Sequence, residues 1–284
     1  MITAKRETTA VDVGGHYDEL DEFYRRAWGE HLHHGYWAEG NESTEDATLR
    51  LIEYVADRLQ TEPGQAVCDV GCGYGGSSRY LASKYGLWMT GLTVSQAQFD
   101  YAKSQPGGGE NAEGNPTYFL RRWEENRFDD ESFDGVISLE CIGHVPDKWE
   151  YFRQAYRVLR PGGRLAITAW LSGDEPSDWE EKHLLEPICR EGRLPSMGTS
   201  EEYTAALQDS GLQLVDYEDI SDKVARTWKI VSGRVATRLL PRWETWRYLL
   251  GGQHRHAIFL LTTARIYWAY RRGAMRYGVF VAQK

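Results

Sequence analysis

The sequence lacks any apolar run of the length a bilayer span needs, which is about 20 residues; its best stretch, Ala257 to Leu261, stops far short. Its first residues, Met1 to Glu7, are polar and lack the apolar segment of a secretory leader, so a cytoplasmic location is expected. A basic surplus is missing as well. With 33 Lys and Arg against 42 Asp and Glu, the formal charge of -9 gives no electrostatic footprint for DNA or RNA, and a small-molecule partner is expected instead. Cysteine is scarce, at Cys68, Cys72, Cys141 and Cys189, with no pattern of a secreted scaffold. Cys68 and Cys72 stand four apart, but no second Cys/His pair follows at zinc-ligand spacing, so reduced thiols packed as small hydrophobes are expected. Aromatic residues are abundant by contrast: 11 Trp and 17 Tyr, many of them late in the chain, need a place to be buried. The 284 residues suit one large domain or a domain with a lid.

The chain is organised around Val67-Cys68-Asp69-Val70-Gly71-Cys72-Gly73-Tyr74-Gly75-Gly76. An apolar run ends on a carboxylate, breaks into glycines and gives way to a helical pattern: the first strand, turn and helix of a nucleotide-binding α/β unit. Gly71 and Gly73 permit positive φ and close approach of a ligand, and Gly76 is read as letting helix and strand pack tightly. The loop also fits a dinucleotide. Asp69 argues against that, because a carboxylate there repels a pyrophosphate but pairs well with an ammonium. A cationic, amino-acid-bearing nucleotide, S-adenosylmethionine, explains the pattern best.

In chain order, residues 1 to about 14 read as a mobile tail and Tyr17 to Trp28 as a helix with one sticky face. The next loop crowds His31, His33, His34, Tyr36 and Trp37 between glycines; clustered histidines invite a metal, but no carboxylate in ligand register completes a site, and no metal is expected. Thr48 to Leu59 reads as a helix capped by Ser43 or Thr44. Strands are expected at Val67 to Val70, Trp88 to Thr93, Thr117 to Leu120, Phe133 to Leu139 and Arg164 to Trp170, alternating with helices at Ser77 to Tyr85, Ser95 to Ser104 and Asp147 to Leu159. Asp178 to Glu191 and Ser200 to Ser210 read as helices, the second with a Thr199 and Glu202 capping box. A sixth strand is expected at Gln213 to Ile220 and a last at Tyr277 to Ala282. Between them lies a helical insertion, Asp222 to Gly273, carrying Trp228, Trp243, Trp246, Tyr248, Phe259, Tyr267, Trp268 and Tyr270. It reads either as a lid over the crevice or as a packed layer or subunit interface. The expected fold is α/β, a seven-stranded, mostly parallel, Rossmann-like sheet. Residues 1–62 form an N-terminal helical cap, 63–171 the nucleotide-binding core and 172–276 the lid helices with the sixth strand, and 277–284 complete the sheet. The N-terminal or lid helices offer faces for a homo-oligomer.

Five motifs in order carry a resemblance: the loop from Trp28 to Trp37, the Asp69 to Gly76 turn, Gly91-Leu92-Thr93-Val94-Ser95 with Gln98, Trp123-Glu124, and Leu159-Arg160-Pro161-Gly162-Gly163. Over roughly residues 15 to 172 the chain resembles class I S-adenosylmethionine-dependent methyltransferases, in the branch of tocopherol methyltransferases, sarcosine/dimethylglycine methyltransferases and cyclopropane-fatty-acid-synthase-like enzymes. The resemblance implies donor binding by Tyr36, Trp37, Asp69, Gly71, Cys72, Gly73, Thr93, Val94, Gln98, Trp123, Glu124 and Glu140, with S-adenosylhomocysteine as product. The wider superfamily holds the ribose with an acid after the second strand; here Thr93 stands there, as is usual in this branch. Cyclopropane synthases place a Glu before a His after the fourth strand, whereas this chain has Gly143-His144, which speaks against cyclopropanation.

Methyl transfer requires alignment and exclusion of water, and a proton acceptor only when the nucleophile must lose a proton. Glu140 and His144, four apart after the fourth strand, are the candidate catalytic pair, the alternative being that Glu140 pairs with a loop group and His144 merely packs. His33, His34, Trp228 and Trp246 are the candidate acceptor-pocket residues. The expected function is methylation of C, N or O on a small, largely apolar molecule such as a prenylated aromatic, terpenoid or polyketide, in specialised metabolism. An NAD(P)-dependent oxidoreductase and a non-catalytic S-adenosylmethionine-binding protein are the competing readings.

Overall fold

The structure, a computed structural model, describes residues 1–5, 8–27, 29–107, 116–234, 237 and 254–284. The N-terminus is built into the molecule rather than hanging from it. β1 (Ile2–Thr3) pairs with a short strand at Ser196–Met197, and α1 (Ala10–Glu19) starts on a capping box in which Thr9 and Asp12 satisfy each other's backbone N–H groups. The expected tail to residue 14 is therefore wrong: Thr9-x-x-Asp12 was the helix signal. A turn at Leu20 splits the expected helix, and α2 (Asp21–Ala27) follows. α3 (Thr44–Ala56) begins on Ser43, whose side chain accepts from the Asp46 N–H.

The central sheet then alternates with helices: β2 (Ala66–Val70), α4 (Gly76–Tyr85), β3 (Trp88–Thr93), α5 (Gln96–Ser104), β4 (Thr117–Leu120), β5 (Phe133–Leu139), α6 (Lys148–Val158) and β6 (Leu159–Ser172). The next helix is continuous but changes pitch, α7 (Asp178–Glu180) leading through a π-helical stretch, Glu181–Leu185, into α8 (Glu186–Glu191). β7 (Ser196–Met197), α9 (Ser200–Asp209), β8 (Gln213–Asp219), α10 (Ser221–Val224), α11 (Arg226–Arg234), the long helix His254–Arg272 and β9 (Met275–Gln283) complete it. The Thr199 and Glu202 capping box forms at α9.

Seven strands lie in the order β4-β3-β2-β5-β6-β9-β8; β9 alone runs opposite to its neighbours. Helices cover both faces, so the inner strands are mostly apolar and buried. α3 presses Leu51, Ile52 and Val55 against one face, and α6 presses Tyr151, Phe152, Ala155 and Val158 against the other, all of them buried. Each such Leu, Ile, Val or Phe contributes about 1.5–3 kcal/mol of transfer free energy. Cys68, Cys72 and Cys189 are buried and Cys141 partly so, with all four thiols free, and burial raises each thiol pKa. Among the described residues no helix is long and apolar enough to cross a membrane. Chain order reverses between β2 and β5, and a crevice opens past the carboxyl ends of those two strands, the place where open α/β sheets take their ligands.

Candidate active site

A cavity of about 220 Å3 fills that crevice. Its sheet side is lined by Asp69, Gly71, Cys72, Gly73, Thr93, Val94, Gln98, Trp123 and Glu124, each at or just past a strand's carboxyl end. The glycines do different work. Gly71 has φ 78°, and a Cβ there would stand 2.5 Å from Cys141 Sγ, so this glycine lets the β2 and β5 turns touch. Gly73 has φ 55° with no protein atom within 4 Å of where a Cβ would be, so its open side faces the cavity. Gly76 admits the His31 ring, 2.8 Å from a Cβ built there, rather than a strand as expected. Asp69 is buried with Ser78 as its hydroxyl donor at 2.6 Å, and burial raises its carboxyl to about 6. Thr93 Oγ1 donates to Gln98 Oε1 at 2.8 Å, which fixes both side chains at the cavity wall. Trp123 is pinned by its indole N–H, which donates to the Tyr151 carbonyl at 2.9 Å.

Glu140 sits where the sheet side meets the helices, at φ 63°, a left-handed conformation that costs a non-glycine residue about 1–3 kcal/mol. What holds it there is four donors. Oε1 accepts from the His34 backbone N–H, His34 Nδ1 and Tyr277 Oη, each at 2.7 Å, and Oε2 accepts from Trp170 Nε1 at 2.9 Å. Burial pushes the carboxyl up, but the His34 contacts outweigh it and hold Glu140 at about 2. Because Glu140 takes the proton-bearing Nδ1, His34 Nε2 is left as an acceptor, and the Trp228 indole N–H donates to it. One carboxylate thus ties the N-terminal loop, β6, β9 and α11 together.

The helical side is lined by Val13, His16 and Tyr17 of α1, Tyr24 of α2, His144, Trp170, Ile188, Leu194, Trp228 and Ile266. His144 is held from three directions. Tyr17 Oη lies 3.1 Å from Nε2, the Arg193 carbonyl lies 3.1 Å from Nδ1, and Lys148 Nζ grips the turn by donating to the carbonyls of Ile142, Gly143 and Val145. Burial lowers the His144 ring to about 4 and Lys148 to about 7.

Residues 4–242 match the mycolic acid cyclopropane synthetase family. The chain belongs to that family. It is a class I S-adenosylmethionine-dependent methyltransferase. It is 30% identical to a chloroplastic tocopherol O-methyltransferase of Arabidopsis thaliana, across 98% of this chain and 83% of the relative. It is 33% identical to the 27-O-demethylrifamycin SV methyltransferase of Amycolatopsis mediterranei, across 78% of this chain and 80% of the relative. A cyclopropane synthase structure from Mycobacterium tuberculosis superposes with a TM-score of 0.84, covering 98% of this chain and 99% of that one, at 19% identity, a likeness of fold.

For a methyltransferase the sheet side fits the donor. Gly73 leaves room where any side chain would intrude, and Asp69, held by the Ser78 hydroxyl, offers a buried carboxylate for a cationic ligand. Two residues tied to the donor by resemblance stand elsewhere: Tyr36 stacks on Tyr54 with centroids 4.5 Å apart, and Trp37 is buried with its N–H on Thr227. Neither lines the cavity, whereas His31, His33 and His34 from the earlier part of the same loop do. Of the insertion aromatics, Trp228 faces the cavity, Tyr267 packs on the core beside it and Trp268 is 56% exposed. Trp243, Trp246, Tyr248 and the Phe259 side chain lie outside the described residues. Sequence reasoning missed Val13, His16, Tyr17, Tyr24 and Trp170; the capping box before α1 and the position of Trp170 near the end of β6 were the available signals. Among the described residues no three His, Cys, Asp or Glu side chains converge as a metal site.

Proposed function

We propose that this methyltransferase acts on a small, largely apolar acceptor, with Asp69, Gly71, Cys72, Gly73, Thr93, Val94, Gln98, Trp123 and Glu124 holding the donor and the helical side holding the acceptor. The bound donor supplies an electrophilic methyl group on a sulfonium. The chain's residues orient, exclude water and manage the proton.

The observation that carries the acceptor class is the lining of the helical side. Val13, Trp170, Ile188, Leu194, Trp228 and Ile266 give it a run of apolar lining. Of the insertion arginines, Arg226 lies over the Trp37 ring, Arg234 donates to Thr44 and Arg265 pairs with Glu191 at the cavity wall, and none of these three lines the cavity. Arg238, Arg242 and Arg247 lie outside the described residues. The tocopherol and rifamycin methyltransferases among its relatives support the same reading. Of the two catalytic candidates, Glu140 serves as an anchor, held by four donors from the loop, β6 and β9. His144 keeps the role of proton acceptor.

Incubation with methyl-labelled S-adenosylmethionine and a panel of prenyl, phenolic, amine and carboxylate acceptors, followed by mass spectrometry, tests the reading. Label is expected on apolar members. Transfer to glycine or sarcosine in preference to them would overturn it.

A further inference from the structure

An apolar pocket does not say which atom receives the methyl group; the polar groups inside it do. The helical side of the cavity holds two tyrosine–histidine pairs, Tyr17 with His144 and Tyr24 with His16, the latter 2.9 Å apart, and the two tyrosine rings pack at 5.5 Å. The first pair has a determined direction. Arg193 offers His144 Nδ1 a carbonyl, which only accepts, so Nδ1 carries the proton. In the neutral ring Nε2 is then a lone pair, and the Tyr17 hydroxyl donates to it. Burial favours the neutral ring, so this lone pair is available at neutral pH. Tyr17 lines the cavity beside His144, with its hydroxyl on the imidazole.

We propose that Tyr17 and His144 form a proton relay that serves an acceptor hydroxyl of the phenol or enol class, with Tyr17 as the group that touches it. The inference rests on the reading that a small apolar acceptor occupies this end of the cavity. As the acceptor oxygen forms its bond to the methyl carbon and the carbon–sulfur bond breaks, with its electron pair going to sulfur, the acceptor's proton passes to Tyr17 Oη. The Tyr17 proton passes at the same time to His144 Nε2. The products are a methyl ether, a neutral thioether and an imidazolium, so the single positive charge moves from sulfur to His144. A weakly basic imidazole suits this order of events, because a hydroxyl proton becomes strongly acidic only while its oxygen is being alkylated. The Arg193 carbonyl remains as acceptor for Nδ1–H in both states.

The test uses the full chain with methyl-labelled S-adenosylmethionine and two probes of one shape, 2-prenylphenol and 2-prenylaniline. The phenol is expected to be methylated and preferred. Tyr17→Phe, which keeps the ring and its packing, is expected to lower kcat about 100-fold, the low end of acid–base catalysis, with KM and calorimetric S-adenosylhomocysteine affinity unchanged. His144→Gln is expected to match it. Nitrogen-15 NMR of histidine-labelled protein without donor is expected to show His144 protonated at Nδ1 and bare at Nε2. Full activity in Tyr17→Phe, or a protonated Nε2, overturns the relay while leaving the methyltransferase untouched. Transfer to the aniline alone, or to neither probe while another panel member is methylated, overturns the hydroxyl class. Preference for a carboxylate acceptor instead brings down the apolar-acceptor reading beneath it.

Discussion

The two sides of the cavity are made in different ways. The sheet side is assembled from turns that follow β2, β3, β4 and β5, adjacent strands whose parallel ladders set their spacing before any side chain is chosen. The helical side draws mainly on α1, α2, the turn after β5, α8, α11 and the long helix His254–Arg272, which share no ladder, with Trp170 of β6 where the two sides meet. The first can hold a ligand common to many enzymes on one backbone geometry, and the second can be refitted to a new acceptor without moving a strand. Glu140, Gly14 and Asp18 are where the two halves touch.

Substitution of the two glycines gives the largest expected effect and shows whether the sheet side is as rigid as its ladders imply. Gly73→Val fills open cavity and strains a left-handed residue, so S-adenosylhomocysteine affinity is expected to fall more than about 100-fold by calorimetry, with a smaller loss of melting temperature than at Gly71, where strain and a clash add. Gly71→Val drives its Cβ into Cys141, so it is expected to lower the melting temperature as well as the affinity. Equal melting for the two variants would mean that the β2 and β5 turns move freely, and the contrast between the sides would weaken.

This difference also decides what the sequence could reveal. The strand ranges Trp88–Thr93, Thr117–Leu120 and Phe133–Leu139 were legible to the residue because apolar runs between turn signals report burial on both faces. Asp69, Gly73 and Thr93 were legible for the same reason, since a residue just past such a run must face the crevice. Tyr17 and His144 stand 127 positions apart, and Trp228 and His34 stand 194 apart. No periodicity links such pairs, so only the assembled helices show them together. Trp268 shows the same limit: a lid aromatic and one on a packed or subunit-facing layer read alike in the sequence, and only the structure shows its ring exposed.

A second prediction concerns charge on the sheet side. Asp69 has its carboxyl raised by burial to about 6, above its ordinary unfolded value. The folded chain without donor therefore binds the proton more tightly than the unfolded chain, and it loses stability as pH rises from about 4 through about 6. Ligand binding has the opposite sign, because the α-ammonium that donor and product share favours the ionised carboxylate. Affinity for S-adenosylhomocysteine is expected to fall about tenfold per unit as pH drops below about 6, the limit for one obligatory deprotonation. Asp69→Asn should bind weakly and without this dependence. An undiminished slope in that variant would assign the titration to another group.

The smallest effect is the one that probes where the two sides join. Thr9 closes the capping box of α1, accepting from the Asp12 N–H at 3.2 Å while Asp12 Oδ2 accepts from the Thr9 N–H at 3.0 Å. Thr9→Ala removes the hydroxyl and costs the helix about 1 kcal/mol. α1 carries Val13, His16 and Tyr17 to the helical side, so a rise of a few-fold in acceptor KM is expected from its loosened first turn. Its second half is bound to the other side: a Cβ on Gly14 would stand 2.4 Å from the Val94 carbonyl, and Asp18 accepts from Ser95 Oγ at 2.6 Å and the Ala97 N–H at 3.0 Å. Those contacts lie past the cap and should hold, leaving S-adenosylhomocysteine affinity within about twofold of wild type, since caps act on the first turn. A matching loss of donor affinity would show that α1 moves as one body, and that acceptor and donor are sensed through a single helix.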